Sequence, residues 1–105
     1  MTIQINTDRN INGNEKLEAY FISSTEEALA RFSEHITRIE LHLSDENGTK
    51  EGPNNKRCLL EARLAGRPPI AVTHQADTIE QAYKGSMSKL KAALETILGK
   101  LKEHQ

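Results

Sequence analysis

Ile79, Tyr83, Met87, Leu90, Leu94, Ile97 and Leu101 recur three or four residues apart in a segment free of proline. At 3.6 residues per turn they form one continuous apolar stripe along a helix, which a second layer of structure must cover. Asp77-Thr78-Ile79-Glu80 sets the start of that helix, with an acidic cap and Glu three residues on, the capping-box spacing. The covering layer is written at period two. Ile3 and Ile5 alternate with Thr2, Gln4 and Asn6, and Ile39, Leu41 and Leu43 alternate with Arg38, Glu40 and His42. Cys58, Leu60, Ala62 and Leu64 repeat the pattern, and Ile70 and Val72 begin a fourth strand ending near Ala76.

Between the first two strands, Leu17, Phe21, Ala28 and Phe32 keep helical spacing, and Asn14 is placed to cap the helix with Glu15 in its first turn. A helix over 15–33 is expected, with Ser23-Ser24-Thr25 as its weak point because hydroxyl and β-branched residues lower helix propensity. The order is β-α-β-β-β-α. Its first βαβ unit calls for a parallel crossover and its later links for antiparallel pairs. The fold class is α+β: a two-layer sandwich with two amphipathic helices on one face of a four-stranded mixed sheet, the other face free. The expected core is Ile3, Ile5, Leu17, Phe21, Phe32, Ile39, Leu41, Leu60, Leu64, Val72, Tyr83, Leu90, Leu94 and Ile97. The connection from Ser44 to Lys56 holds two Gly, one Pro and three Asn, and is expected to be a long mobile loop.

At 105 residues, 36% hydrophobic and 28% charged, the chain is expected to form one globular domain over 1–105. No apolar run approaches the roughly 18 residues that span a bilayer, and the first residues lack the cationic and apolar parts of a signal peptide. The lone Cys58 has no partner for an internal disulfide, so a cytoplasmic protein without a membrane association is expected. Catalytic and metal chemistry finds little support. His35, His42, His74 and His104 do not pair with one another or with Cys58 at ligand spacing. Asp45-Glu46-Asn47-Gly48 fails as a calcium loop, because Lys50 and Lys56 stand where such a loop needs Gly and Glu. Neither glycine-rich phosphate motif occurs. A small enzyme using His42, Glu61 and Arg63 on the free sheet face is the remote alternative; the expectation is no enzyme, no cofactor, no metal and no small-molecule substrate.

Charge divides the chain. Residues 1–49 carry four basic and nine acidic side chains, and residues 50–105 carry ten basic and six acidic. Such a split lets one part of a small domain meet a polyanion while the other repels it. On the last helix, Lys84, Lys91 and Lys102 flank the apolar stripe on one side, and Lys89 and Lys100 on the other. The face read as opposite the core is Gln81, Gly85, Ser88, Ala92, Thr96 and Gly99, a flat ridge suited to a phosphodiester backbone or to another helix.

Two stretches then carry a family resemblance over nearly the whole chain. Ile39-Glu40-Leu41-His42-Leu43-Ser44-Asp45-Glu46-Asn47-Gly48, with Lys56-Arg57-Cys58 and Glu61-Ala62-Arg63, resembles the second and third strands of the ribosome hibernation promoting factor family, also called ribosome-associated translation inhibitors or ribosomal subunit interface proteins. Ala76-Asp77-Thr78-Ile79-Glu80-Gln81-Ala82-Tyr83, leading into Lys89-Leu90-Lys91, is similar to the start of that family's second helix. The resemblance implies a fold like a double-stranded-RNA-binding domain. It also implies a bacterial stress and stationary-phase protein that occupies the messenger and transfer RNA channel of the small ribosomal subunit and holds translation inactive. Carried over by position, Lys56, Arg57, Arg63, Arg67, Lys84, Lys89 and Lys91 are the implied contacts to 16S-type rRNA. The resemblance implies the short form, expected to stand without the C-terminal dimerising domain of long members. Two departures are visible: Glu80 stands where members usually carry Tyr, and residues 15–34 hold two basic and five acidic side chains where that helix is often basic. A protein–protein module, a weak homodimer packed through Gly85, Ser88, Ala92 and Gly99, is the alternative.

Overall fold

The structure, a computed structural model, describes residues 1–9, 11, 13–46 and 55–103, the last four by backbone only. Its elements run β1 (Thr2–Thr7), α1 (Glu15–Ala28), a 3₁₀ turn (Ala30–Phe32), β2 (Ile36–Asp45), β3 (Lys56–Leu64), β4 (Ile70–Ala76) and α2 (Ile79–Glu103). The sheet order is β1-β2-β3-β4, with β1 parallel to β2 and the other pairs antiparallel. Two helices cover one face of this mixed four-stranded sheet, the expected α+β sandwich.

Alternation along the strands supplies the floor of the core. Ile39, Leu41 and Leu43 of β2 stand beside Ala62, Leu60 and Cys58 of β3, all fully or almost fully buried. Above them lie Phe21 from α1 and Ala82, Tyr83, Met87, Leu90 and Leu94 from α2. Ile3, Ile5, Leu17, Val72 and Ile97 pack against this cluster at its rim, only partly buried. Leu101 lies beyond the described side chains.

Helix α1 begins as expected, with the Asn14 side chain accepting a hydrogen bond from the Leu17 amide at 2.9 Å. It ends earlier than 33. Leu29 leaves helical geometry and the chain tightens into the 3₁₀ turn, which buries Leu29 and Phe32 together. The expected weak point is an anchor instead: the Thr25 hydroxyl is buried against the Tyr83 hydroxyl at 3.0 Å, tying α1 to α2. A buried hydroxyl pair of this kind offsets the propensity loss because each group satisfies the other.

Strand β2 starts two residues before Arg38, and a bulge explains why its beginning is illegible. Ile36 pairs with Leu64 but Arg38 pairs with Arg63, so Thr37 is extra and donates its hydroxyl to the Arg63 carbonyl at 3.1 Å. The extra residue shifts the alternation, so that Ile36 and Ile39 both point inward. Strand β2 also runs on through Ser44 and Asp45, and β3 begins at Lys56, which shortens the expected connection at both ends. The segment 47–54, expected to be mobile, lies outside the described residues. At the head of α2 the cap is Thr78 rather than Asp77: its hydroxyl oxygen accepts from the Gln81 amide at 3.1 Å.

Candidate nucleic-acid interface

Helix α2 holds its apolar stripe down on the sheet, so its flanks are what water and a partner meet. One flank faces α1. There Glu80 Oε1 accepts a hydrogen bond from the Tyr20 hydroxyl at 3.3 Å and pairs with Lys84 Nζ at 3.1 Å, one turn along the same helix. Lys84 beside it, and then the Tyr20 hydroxyl, hold the Glu80 carboxyl below the usual carboxylate range. About three turns beyond Lys84, Glu95 pairs with Arg31 of the 3₁₀ turn that follows α1.

Between these two clasps lies an open groove of about 520 Å³. Tyr20, Ser24 and Ala28 of α1 form one wall; Lys84, Ser88, Lys91 and Ala92 of α2 form the other, with Tyr83 and Met87 also lining it. Lys84 and Lys91, seven residues apart, therefore stand on one wall. Lys84 is engaged by Glu80, and Lys91 forms no ion pair among the described residues.

The other flank faces β4. Lys89 folds over the strand and donates from Nζ to the Thr73 carbonyl at 2.8 Å. Gly85 belongs to this flank and not to the outer ridge: a β-carbon there would fall among the ring atoms of His74. The ridge is thus interrupted at its first glycine, while Gln81, Ser88, Ala92 and Thr96 remain exposed. The side chains of Lys100 and Lys102 lie outside the described residues.

The four basic positions outside α2 are dispersed. Lys56 lies on the helix side of the sheet, where its ammonium meets the buried carboxylate of Asp45 at 3.1 Å and the Asn55 amide donates to the same group at 3.2 Å. Arg57 pairs with Glu46 at 3.7 Å. Arg63 is on the free sheet face, bridging Glu61 at 3.2 Å and Glu40 at 3.4 Å. Arg67 is exposed in the turn after Gly66, whose φ of 70° is the left-handed geometry that favours glycine. Of the seven positions, only Lys84 and Lys91 are brought together on one concave surface.

The free sheet face is a charge lattice rather than a basic patch. Glu40 sits among Arg38 at 3.4 Å, Arg63 at 3.4 Å and His42 at 3.7 Å, and Arg38 also donates to Gln4. Arg38 and Arg63 stand opposite each other in register, and Glu40 between them cancels the repulsion. Among the described residues no group of His, Cys, Asp and Glu converges as a metal site, and no helix is long and apolar enough to cross a membrane.

Residues 3–102 match the family described as Sigma 54 modulation protein / S30EA ribosomal protein. The chain belongs to that family. Among solved structures it is similar to a ribosomal subunit interface protein from Coxiella burnetii, at 19% identity and a TM-score of 0.72, over 94% of this chain and 99% of that one. It is also similar to the N-terminal domain of Protein Y from Thermus thermophilus, at 17% identity and a TM-score of 0.67, over 92% of this chain and 99% of that one. Both likenesses establish the fold. No curated protein matches the sequence. The groove itself is not legible in the sequence, because Tyr20 and Lys84 meet only through Glu80, across two helices. The exposed Tyr20 at the edge of the first helix pattern was the one signal of it.

Proposed function

We propose that this protein is a non-catalytic ribosome-binding factor of the cytoplasm. In this reading it occupies the rRNA channel of the small subunit and holds translation inactive under stress. The observation that carries the reading is the family match across 3–102, within a family described as ribosomal. The structural neighbour named a ribosomal subunit interface protein has the same fold over almost its whole length.

The physics of docking follows from the charge layout. The groove wall offers two ammonium groups, and Lys89 and Arg67 add charge at the β4 edge and the β3–β4 turn. Phosphate contacts of this kind position a protein on RNA and make its affinity fall steeply with salt. Lys56, by contrast, already neutralises a buried carboxylate, so its contribution to RNA is the smallest of the seven. Arg57 and Arg63 reach RNA only by exchanging their present acidic partners for phosphate.

The test is sedimentation with ribosomes from a starved culture across a salt series. Replacing Lys84, Lys89 and Lys91 by Gln should weaken binding and flatten the slope of log affinity against log salt by about two to three units. If the triple variant pellets as the wild type does at every salt concentration, α2 is not the contact surface. Thr96→Arg separates the homodimer reading: exposed on the ridge and outside the groove lining, it adds favourable charge toward RNA but blocks a helix packed on the ridge.

A further inference from the structure

The chain has only four aromatic side chains, and three of them, Phe21, Phe32 and Tyr83, are buried. Tyr20 is 47% exposed and stands in the wall of the interhelical groove. It is not a loose surface ring. Its ring packs edge-to-face with Phe21, with centroids 5.1 Å apart and planes at 68°, and its hydroxyl is held by Glu80 at 3.3 Å. The same Glu80 holds Lys84 at 3.1 Å, so one carboxylate fixes an aromatic ring on one wall and an ammonium group on the other, at the same end of the groove.

We propose that this groove takes one unstacked nucleotide of an RNA strand, its base on Tyr20 and its phosphates at Lys84 and Lys91. The inference deepens the ribosome reading and rests on it for the source of the RNA. Size, lining and charge each favour this occupant. A volume of about 520 Å³ is in the range of sites for one small molecule or one residue of a polymer, roughly 300–1,000 Å³. The side chains of Ala28, Tyr83, Met87 and Ala92 suit a base, and a duplex, which keeps its bases stacked inside, would leave them unused. Glu95 is neutralised by Arg31 and Glu80 by Lys84, which leaves Lys91 as the uncompensated charge of the groove among the described residues. Aromatic stacking beside cations is the usual means of holding single-stranded nucleic acid without reading its sequence.

Tyr20→Trp makes the test direct, since the chain contains no Trp. The introduced indole should be quenched saturably by single-stranded hexaadenylate, far less by a blunt RNA duplex of equal length, and less by AMP alone. In anisotropy with labelled hexaadenylate, Tyr20→Ala should weaken binding about 5- to 100-fold and Lys91→Gln should weaken it too, while Tyr20→Phe keeps most of it. A circular dichroism melt on each variant separates loss of binding from loss of fold. The proposal is overturned if the duplex or AMP binds as well as hexaadenylate, or if Tyr20→Ala binds within twofold of the wild type. Wild type that pellets with ribosomes but ignores hexaadenylate sinks the groove and leaves the ribosome reading intact. Hexaadenylate binding without ribosome pelleting has the opposite meaning.

Discussion

Gly85 rests on the imidazole of His74: a β-carbon at position 85 would lie 2.0 Å from Cδ2 of that ring and 2.4 Å from Cγ. Helix α2 therefore approaches β4 at this point more closely than any residue with a side chain allows. The contact sits near the start of the helix, so it also fixes how the Tyr83, Lys84 and Met87 turn presents itself to α1.

Gly85→Ala gains up to about 1 kcal/mol of helix propensity but forces the ring or the helix aside, an overpacking cost of roughly 1–3 kcal/mol. A net loss of up to about 2 kcal/mol is expected in a urea titration. In a His74→Ala background the same change should become neutral or stabilising, because the obstructing ring is gone. A double-mutant cycle reads this coupling, and an equal loss in both backgrounds would show that the ring is not the obstacle.

Leu90 is fully buried at the centre of α2. Leu90→Ala should cost about 2–5 kcal/mol, and a loss below about 0.5 kcal/mol would contradict its place in the core.

Period two and period 3.6 were enough to read the sheet, both helices and most of the core, because each pattern has one dry face. Legibility failed where a local exception overrides the pattern. The bulge at Thr37 shifts the phase and hides Ile36, and the tight turn after Leu29 buries two residues that an unbroken helix would place differently. Thr78 outcompetes Asp77 as cap because its hydroxyl lies within reach of the Gln81 amide. A helical wheel places Gly85 on the outer ridge because it treats the covering layer as flat, whereas the partly buried His74 side chain rises under one flank of α2. For the site, charge counting found the lysines of α2 but not their partners. Lys56 is spent on Asp45, and Lys84 is oriented by Glu80, pairings that only the cross-strand register and the helix–helix contact determine.

Burial pushes the Cys58 thiol up to about 11 from about 9, against smaller opposing effects of the Ser86 hydroxyl and Arg57. Burial also raises the Tyr83 phenol, opposed by its bond to Thr25. Both groups fold as neutral acids. Their contribution is complete below the unfolded value and is lost as pH rises, because the unfolded chain releases its proton first. Between about pH 9 and 11 the Cys58 effect amounts to a fall on the order of 2–3 kcal/mol. Cys58→Ala should therefore show a shallower alkaline fall than the wild type in denaturant titrations at successive pH values. Parallel curves would mean that the thiol does not titrate in this range. Alkylation of the native thiol at pH 8 should be slow for the same reason.

Helix α1 bears Glu18, Glu26 and Glu27 in exposed positions, in the same layer as the cationic wall of α2. In the proposed docking of α2 on rRNA, these carboxylates come near phosphates that they do not touch. Their effect is then long-range repulsion, which acts on encounter more than on the formed contacts and is screened within about 10 Å at 0.1 M salt. Replacing all three by Gln should raise ribosome affinity about two- to fivefold at low salt, mainly through a faster association rate, and the gain should vanish near about 0.5 M salt. A gain that survives high salt would require one of these carboxylates to sit in direct contact with the ribosome. No gain at low salt would mean that α1 is turned away from the RNA, and with it the groove wall that Tyr20 supplies.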